Sequence, residues 1–241
     1  MTDLITLPAV RERLETWFAE RLLAIDALAV EMLAKMHLDD NGILDLSESA
    51  RRRLKTVAAQ FLLNNEHIDG CGLIFAHSAL GTENGHLEWW VREDDARFAR
   101  YSFGVVPGAD RYYDYEQHEW FVRSFEQGES ALVGPYIDYL GVESYVLTLT
   151  VPAVVNGNRL GAVGNDIQLE DLERALLPLL QQREQELVLL SHHGNVLFGT
   201  SAQFLPGDYV PDSLPGYARE ALSPQAMGLQ LLYALPGEAS L

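Results

Sequence analysis

The stretch from Val133 to Gly141, VGPYIDYLG, places a carboxylate between two tyrosines in a segment whose composition otherwise indicates a β-strand. Because side chains alternate along a strand, Tyr136 and Asp138 share one face. A carboxylate beside aromatic rings suits an ammonium ion, since the anion pairs with the positive charge and the rings add cation–π attraction. The stretch therefore indicates a binding site for a small cation.

A second carboxylate, Asp166, can join the same face through two predicted hairpins. With a turn at residues 141–144 and a two-residue turn within 156–158, Asp166 and Tyr145 lie on the side that carries Asp138. A three-residue second turn would reverse that placement. Two carboxylates on a partly buried face repel each other and resist desolvation, and a bound cation relieves both costs. Taken alone, each aspartate has an ordinary alternative, in which it accepts backbone N–H bonds or caps a turn.

The elements that would position these residues follow from hydrophobic periodicity. Apolar residues at helical spacing predict one long helix over residues 8–37, and Ser47 or Ser49 is placed to cap a second helix over 49–64. Helices are also predicted in the second half of 111–129 and over 169–182. Alternation and turn residues predict strands at 71–80, 86–94, 97–103, 131–140, 143–155, 159–168 and 227–235, and a hairpin at 186–200.

Consecutive hairpins favour a mostly antiparallel sheet over alternating βαβ units, so the predicted fold class is α+β. We expect a central antiparallel sheet flanked by helices, a long N-terminal helix and a small C-terminal β extension. Residues 1–182 are predicted to form the main domain with its helical stalk, and residues 183–241 a β-rich extension packed on the same unit.

Three motifs occur in the order and spacing of a known family: 113-YDYEQHEWF-121, 134-GPYIDY-139 and 148-TLTVPAVVNGNRLGAVGNDI-167. On these motifs the chain resembles the Cache family of small-molecule sensor domains over residues 8–180. The opening helix and 86-HLEWW-90 resemble a cytosolic branch of that family. The resemblance implies a PAS-like central sheet and a role in sensing a ligand.

The resemblance also implies roles for individual residues. By family position, Tyr113 and Trp120 would cover the ligand, while Tyr136, Asp138 and Asp166 would hold its ammonium group. Together with Tyr145 from the predicted register, they form the expected ligand-binding set.

One position departs from the family pattern. Amino-acid-binding members carry an arginine two positions before the tryptophan, where it grips the ligand carboxylate, and this chain has His118 there. A biogenic amine or a polyamine is therefore the expected ligand class, and an amino-acid-like cation is the next expected class. The alternative is a small carboxylic acid, bound as an anion by protonated His118.

Composition limits the possible partners and location. Lys and Arg total 17 against 35 Asp and Glu, a formal net charge of −18, which opposes binding to nucleic acid. The first residues lack the pattern of a signal peptide, and no apolar run is long enough to span a bilayer, which predicts a cytoplasmic protein without membrane contact. We expect a homodimer through the N-terminal helix and an output partner that receives the signal.

An enzyme is the main alternative to a ligand-binding sensor. Asp138 and Asp166 could act as an acid and base pair, as in a small hydrolase, but the sequence supplies no motif for a nucleophile or a cofactor, and none of either is predicted. His192 and His193 should point to opposite faces of a strand and thus not share a metal, and Cys71 is expected in the core.

Trp89 and Trp90 should also point to opposite faces, one into the core and the other towards a pocket or an interface. The sequence does not assign which of the two borders the pocket.

Overall fold

The computed structural model describes residues 5–36, 47–82, 84–94, 97–101, 106–108, 112–138 and 144–236. The helices are α1 (Leu7–Lys35), α2 (Glu48–Asn64), α3 (His77–Leu80), α4 (Glu119–Phe121) and α5 (Leu169–Leu180), with 3₁₀ turns at Tyr115–Gln117 and Pro224–Ala226 and a π-helical segment at Val122–Gln127. The strands are β1 (Gly70–Phe75), β2 (His86–Arg92), β3 (Phe98–Tyr101), β4 (Ala131–Ile137), β5 (Tyr145–Val155), β6 (Asn158–Gln168), β7 (Leu187–Leu190), β8 (Val196–Gly199), β9 (Tyr217–Ala221) and β10 (Gln230–Ala234).

The long first helix is confirmed over Leu7–Lys35. It forms because its apolar residues recur every three or four positions, so that they can be buried along one side of the helix. Helix α2 begins where the sequence predicted: the Ser47 hydroxyl accepts a hydrogen bond from the Ala50 N–H at 3.3 Å. No helix within the described ranges is long and apolar enough to cross a membrane.

A six-stranded sheet runs in the order β3-β2-β1-β6-β5-β4. Strand β1 is buried along its whole length and pairs antiparallel with both β2 and β6. Strands β5 and β6 form the predicted hairpin, in which Asn156 and Gly157 take the left-handed backbone conformation with φ of 51° and 80°. Positive φ at both positions is the requirement of a type I′ hairpin turn, and Asn-Gly is one of the pairs that favour it.

A second, four-stranded sheet has the order β8-β7-β10-β9. Its apolar side chains pack into their own cluster, to which Val188, Val196 and Leu232 contribute. Strand β9, which is not among the predicted strands, forms because β10 supplies backbone partners along its whole length. The α+β class with antiparallel sheets is confirmed.

By its contacts the chain divides into two compact units that interleave along the sequence. The small-sheet unit comprises Met1–Leu22, Leu132–Leu147 and Gln168–Leu241, and the central-sheet unit comprises Leu23–Ala131 and Thr148–Ile167. The predicted boundary after residue 182 does not coincide with the limits of these units and stays a prediction. Strand β1 also ends earlier than predicted, because the chain turns into α3 after Phe75.

Candidate ligand-binding site

The two faces of β1 in the central-sheet unit have different chemistry. On one face Cys71 packs against α2, with its Sγ 3.8 Å from the Ala58 carbonyl oxygen. On the other face Gly70 lies opposite Asp166 of β6, and Gly72 lies opposite Gly164. We call this second face the glycine face. On it, the Asp166 carboxylate has glycines at the cross-strand position and two residues away on its own strand.

Asp166 is held in place on the glycine face by β5. The Thr148 hydroxyl donates a hydrogen bond to Asp166 Oδ1 at 2.6 Å, a distance typical of a charge-assisted bond. Thr148 is buried and Asp166 is half-buried. The bond fixes the orientation of the carboxylate on the sheet.

The predicted face of β5 is wrong. We expected Asp166 to share a side with Tyr145, but it is Thr148 that reaches Asp166, and alternation then turns Tyr145 to the other face. The Asp138 N–H instead bonds the Ser144 carbonyl at 3.0 Å. That pairing shifts the register of β4 on β5 by an odd number of residues from the predicted one, so Asp138 lies opposite Ser144 and no longer shares the face of Tyr145.

Tyr145 packs elsewhere within the small-sheet unit. A Cβ built on Gly207 would lie 3.0 Å from the Tyr145 hydroxyl oxygen, so the ring rests on that glycine. In the same unit, Tyr136 lies in β4 and Asp138 directly follows it, both half-buried. The ligand-binding roles of these three residues stay predictions.

Three of the predicted site residues of the central-sheet unit form an aromatic stack. The rings of Tyr113 and His118 are 4.6 Å apart and inclined by 25°. Those of His118 and Trp120 are 6.1 Å apart and within 9° of parallel. The Tyr-x6-Trp spacing therefore brings the predicted residues together, with His118 between the other two.

Hydrogen bonds tie this stack to the face of β5 that carries Thr148. The Thr150 hydroxyl, two residues along the same face, donates to the Trp120 carbonyl oxygen at 2.9 Å. The Ser124 hydroxyl donates to the same hydroxyl at 2.7 Å and also lies 3.2 Å from the Glu129 carbonyl oxygen. The helical segment that begins at Glu119 is thus anchored over the glycine face.

The indole N–H of Trp120 is a buried hydrogen-bond donor that a ligand could satisfy. Trp120 is 4% exposed, and its Nε1 finds no hydrogen-bond acceptor among the residues described. A buried donor without a partner costs about 1–3 kcal/mol. A ligand or a water that accepts this hydrogen bond would recover that free energy.

His118 is held in its neutral form. Burial lowers the pKa of His118 below its usual value, and the negative charge of Asp114 opposes this only in part. A neutral imidazole has no charge with which to attract an anion, and it does not repel an ammonium ion.

Two threonines of the site were not among the predicted residues, and the structure distinguishes the two tryptophans. Thr148 and Thr150 were visible as a TLT alternation in an apolar strand, which indicates one polar face. Trp90 pairs with Cys71 on the α2 side and is 1% exposed, whereas Trp89 pairs with Gly72 on the glycine face. Only the pairing of β1 with β2 and β6 could decide between them.

Two further expectations concern reactive side chains. Cys71 is in the core as predicted, and burial strongly raises the pKa of its thiol, which disfavours the nucleophilic thiolate. The expectation that His192 and His193 point to opposite faces is wrong. They lie in the turn after β7, and their rings are 3.9 Å apart.

Comparison with known proteins shows where this arrangement occurs. Residues 54–174, half of the chain, match the family described as methyl-accepting chemotaxis protein-like, first PDC sensor domain. No curated protein sequence matches the chain.

Solved structures with a similar fold cover nearly the whole chain. The sensory domain of the Campylobacter jejuni chemoreceptor Tlp3 is 13% identical with a TM-score of 0.64, covering 98% of this chain and 92% of that one. The ligand-binding domain of the Pseudomonas aeruginosa amino-acid chemoreceptor PctC, in complex with GABA, is 17% identical with a TM-score of 0.60, covering 95% of each chain. The extracellular domain of mmHK1S-Z3 is 12% identical with a TM-score of 0.61, covering 94% and 91%. At these identities the likeness establishes the fold.

The predicted cytoplasmic location, and with it the cytosolic branch, is wrong. Sensor domains of this chemoreceptor family face the periplasm or the cell exterior, and the similar domain of mmHK1S-Z3 is extracellular. The prediction relied on the lack of a signal peptide and an apolar span, and neither feature describes the folded domain itself.

The predicted resemblance to Cache domains and the role as a sensor are confirmed by the family match. The family consists of sensor domains, which are not themselves enzymes. The chain belongs to the methyl-accepting chemotaxis protein-like family of first PDC sensor domains.

Proposed function

We propose that the central-sheet unit senses a small ligand with an ammonium group, which pairs with Asp166 on the glycine face below the stack of Tyr113, His118 and Trp120. The observation that carries this proposal is the half-buried Asp166 carboxylate, oriented by Thr148 at 2.6 Å on a face that Trp120 overlies. A carboxylate in such surroundings gains most from a cation, because low polarity strengthens the attraction.

The charges of the site favour an amine over a carboxylic acid. Asp166 repels an anion, neutral His118 does not offset that repulsion, and the chain carries a net charge of −18. The unpaired Trp120 N–H adds a neutral donor for an oxygen of the ligand. GABA, which PctC binds, also has an ammonium group, and it supports a ligand with an ammonium at one end.

A ligand panel tests the proposal. We expect amines and amino-acid-like cations to raise the melting temperature, by the equivalent of about 2.7 kcal/mol at a hundredfold excess over Kd. Titration calorimetry of each hit then gives Kd. Stabilisation by small carboxylic acids alone would favour the alternative sensor, and turnover of a hit would favour an enzyme.

Acidification should weaken amine binding through His118. Its pKa lies below the ordinary value near 6.5, so the ring is neutral above that pH and gains a proton as the pH falls through the lowered pKa. The new charge then repels the ammonium ion. We expect a nearly constant Kd from pH 8 to 6.5 and, below the His118 pKa, a rise of up to about tenfold per pH unit.

A non-titrating variant isolates this effect. In His118→Gln the rise in Kd at acid pH should disappear, and calorimetry at each pH measures it. An unchanged pH profile in His118→Gln would assign the titration to another group.

We also propose that two copies of the chain associate through α1. Leu23 and Val30, seven residues apart, are 68% and 70% exposed, which puts two aliphatic side chains on one line of the helix. Such spacing suits packing against a second helix. Ligand binding would then be passed on by a change within the dimer to an output partner.

Light scattering after size exclusion tests the dimer. We expect Leu23→Asp to produce a monomer, since a charge in an apolar contact is strongly unfavourable. Leu205→Asp, at a leucine of similar exposure (61%) in the small-sheet unit, should leave the dimer intact. A wild-type protein that is monomeric at every concentration would refute the proposal.

A further inference from the structure

Trp89 lies flat on the glycine face. A Cβ built on Gly70 would lie 2.7 Å from Trp89 Nε1, and one built on Gly164 would lie 3.4 Å from Trp89 Cζ3. A Cβ marks the side on which a side chain would stand, so both contacts place the indole above β1 and as far as β6. The indole can lie this close to the sheet because neither glycine has a side chain to displace it.

The register brings the ring next to the carboxylate. Gly70, which lies under the indole nitrogen, is the cross-strand partner of Asp166. Gly164, under the other end of the ring, shares the strand and the face of Asp166, two residues away. Trp89 therefore borders the space directly above the carboxylate.

From this placement we infer that Trp89 is the wall that limits the length of the ligand bound at Asp166. The inference rests on the proposed site, since it concerns the same face. A ligand anchored at Asp166 meets the rigid indole wherever it extends across β1. A short chain fits beside the ring, and a longer one collides with it. Trp89 is 5% exposed and closely packed, so it has little freedom to move aside.

Two series of probes test the wall: unbranched alkylamines of increasing length, and unbranched carboxylic acids of the same lengths. Kd is measured by calorimetry for the wild type and Trp89→Phe. We expect the longest accepted chain to grow by at least one methylene in Trp89→Phe, with about a tenfold gain for the first chain that the wild type rejects. Melting temperatures confirm that the variant is folded.

Trp90→Phe is the matched control, because it makes the same truncation at the neighbouring residue on the opposite face of β2. It should lower the melting temperature and leave the preferred length unchanged. Gly70→Ala should act in the opposite direction. Its methyl group would push the indole nitrogen from 2.7 Å into the ligand space and shorten the accepted chain.

The outcomes separate this inference from the proposed function. Binding of acids alone would refute the amine proposal. The role of Trp89 would then be tested by the longest acid that the wild type, Trp89→Phe and Trp90→Phe each accept. An identical length profile in wild type, Trp89→Phe and Trp90→Phe would overturn the wall and leave the amine proposal standing. Binding of neither series would overturn both.

Discussion

Asp166→Asn is expected to raise Kd for an amine ligand by at least about 30-fold. Removing one member of a desolvated charge pair costs about 2–5 kcal/mol, and about 2 kcal/mol corresponds to that factor. Asparagine has nearly the shape of aspartate and keeps an oxygen that can accept the Thr148 hydroxyl. The loss should therefore appear in binding and much less in the melting temperature.

Calorimetry on wild type and variant measures this effect, with Glu66→Gln as the control. Glu66 is exposed on the central-sheet unit, and its substitution removes the same formal charge. We expect Glu66→Gln to bind as the wild type does, because an exposed charge is screened by solvent and salt. Equal Kd values for Asp166→Asn and the wild type would remove Asp166 from the site.

Glu88→Ala should lower the free energy of unfolding by about 3 kcal/mol, more than any other substitution proposed for this protein. Glu88 is fully buried, and its Oε1 accepts hydrogen bonds from Arg51 Nε at 2.9 Å and from Arg100 at 3.3 Å, with His86 Nε2 also at 2.9 Å. Breaking a buried ion pair costs about 3–5 kcal/mol. The lower end applies here, because Arg51 and Arg100 are 30% and 38% exposed and regain water.

Urea unfolding of Glu88→Ala and Glu48→Ala compares two carboxylates that share one arginine. Glu48 accepts a hydrogen bond from Arg51 Nη1 at 3.3 Å but is 81% exposed, so its loss should cost at most about 1 kcal/mol. Similar losses in both variants would show that the buried cluster contributes little.

Acid should reduce the contribution of Glu88. Burial alone would raise its pKa, but the hydrogen bonds from His86 and Arg51 and the charge of Arg100 together lower it. A lowered carboxyl pKa stabilises the fold above the unfolded value near 4.3 and loses that effect as the pH falls through the folded value. The difference between wild type and Glu88→Ala should therefore shrink below about pH 4.

Local patterns predicted most of the elements and part of the site. The stripe along α1, the Ser47 cap and the Asn156–Gly157 turn each depend on residues close in the chain, and each was found where expected. Tyr113, His118 and Trp120, which the family motif made candidates, lie within eight residues and form a stack, while their contact with a ligand stays a prediction. The family motifs, read from the sequence, indicated a sensor domain before the fold was known.

The residues that face the candidate ligand were decided by tertiary structure. A strand shows which of its side chains share a face, but its pairing with other strands determines which face is the site. The register between β5 and β6 put Thr148 and not Tyr145 beside Asp166, and the pairing of β1 assigned Trp89, not Trp90, to the glycine face. Alternation within a strand is local and can be read from the sequence. Register depends on hydrogen bonds between distant segments, which only the folded chain forms.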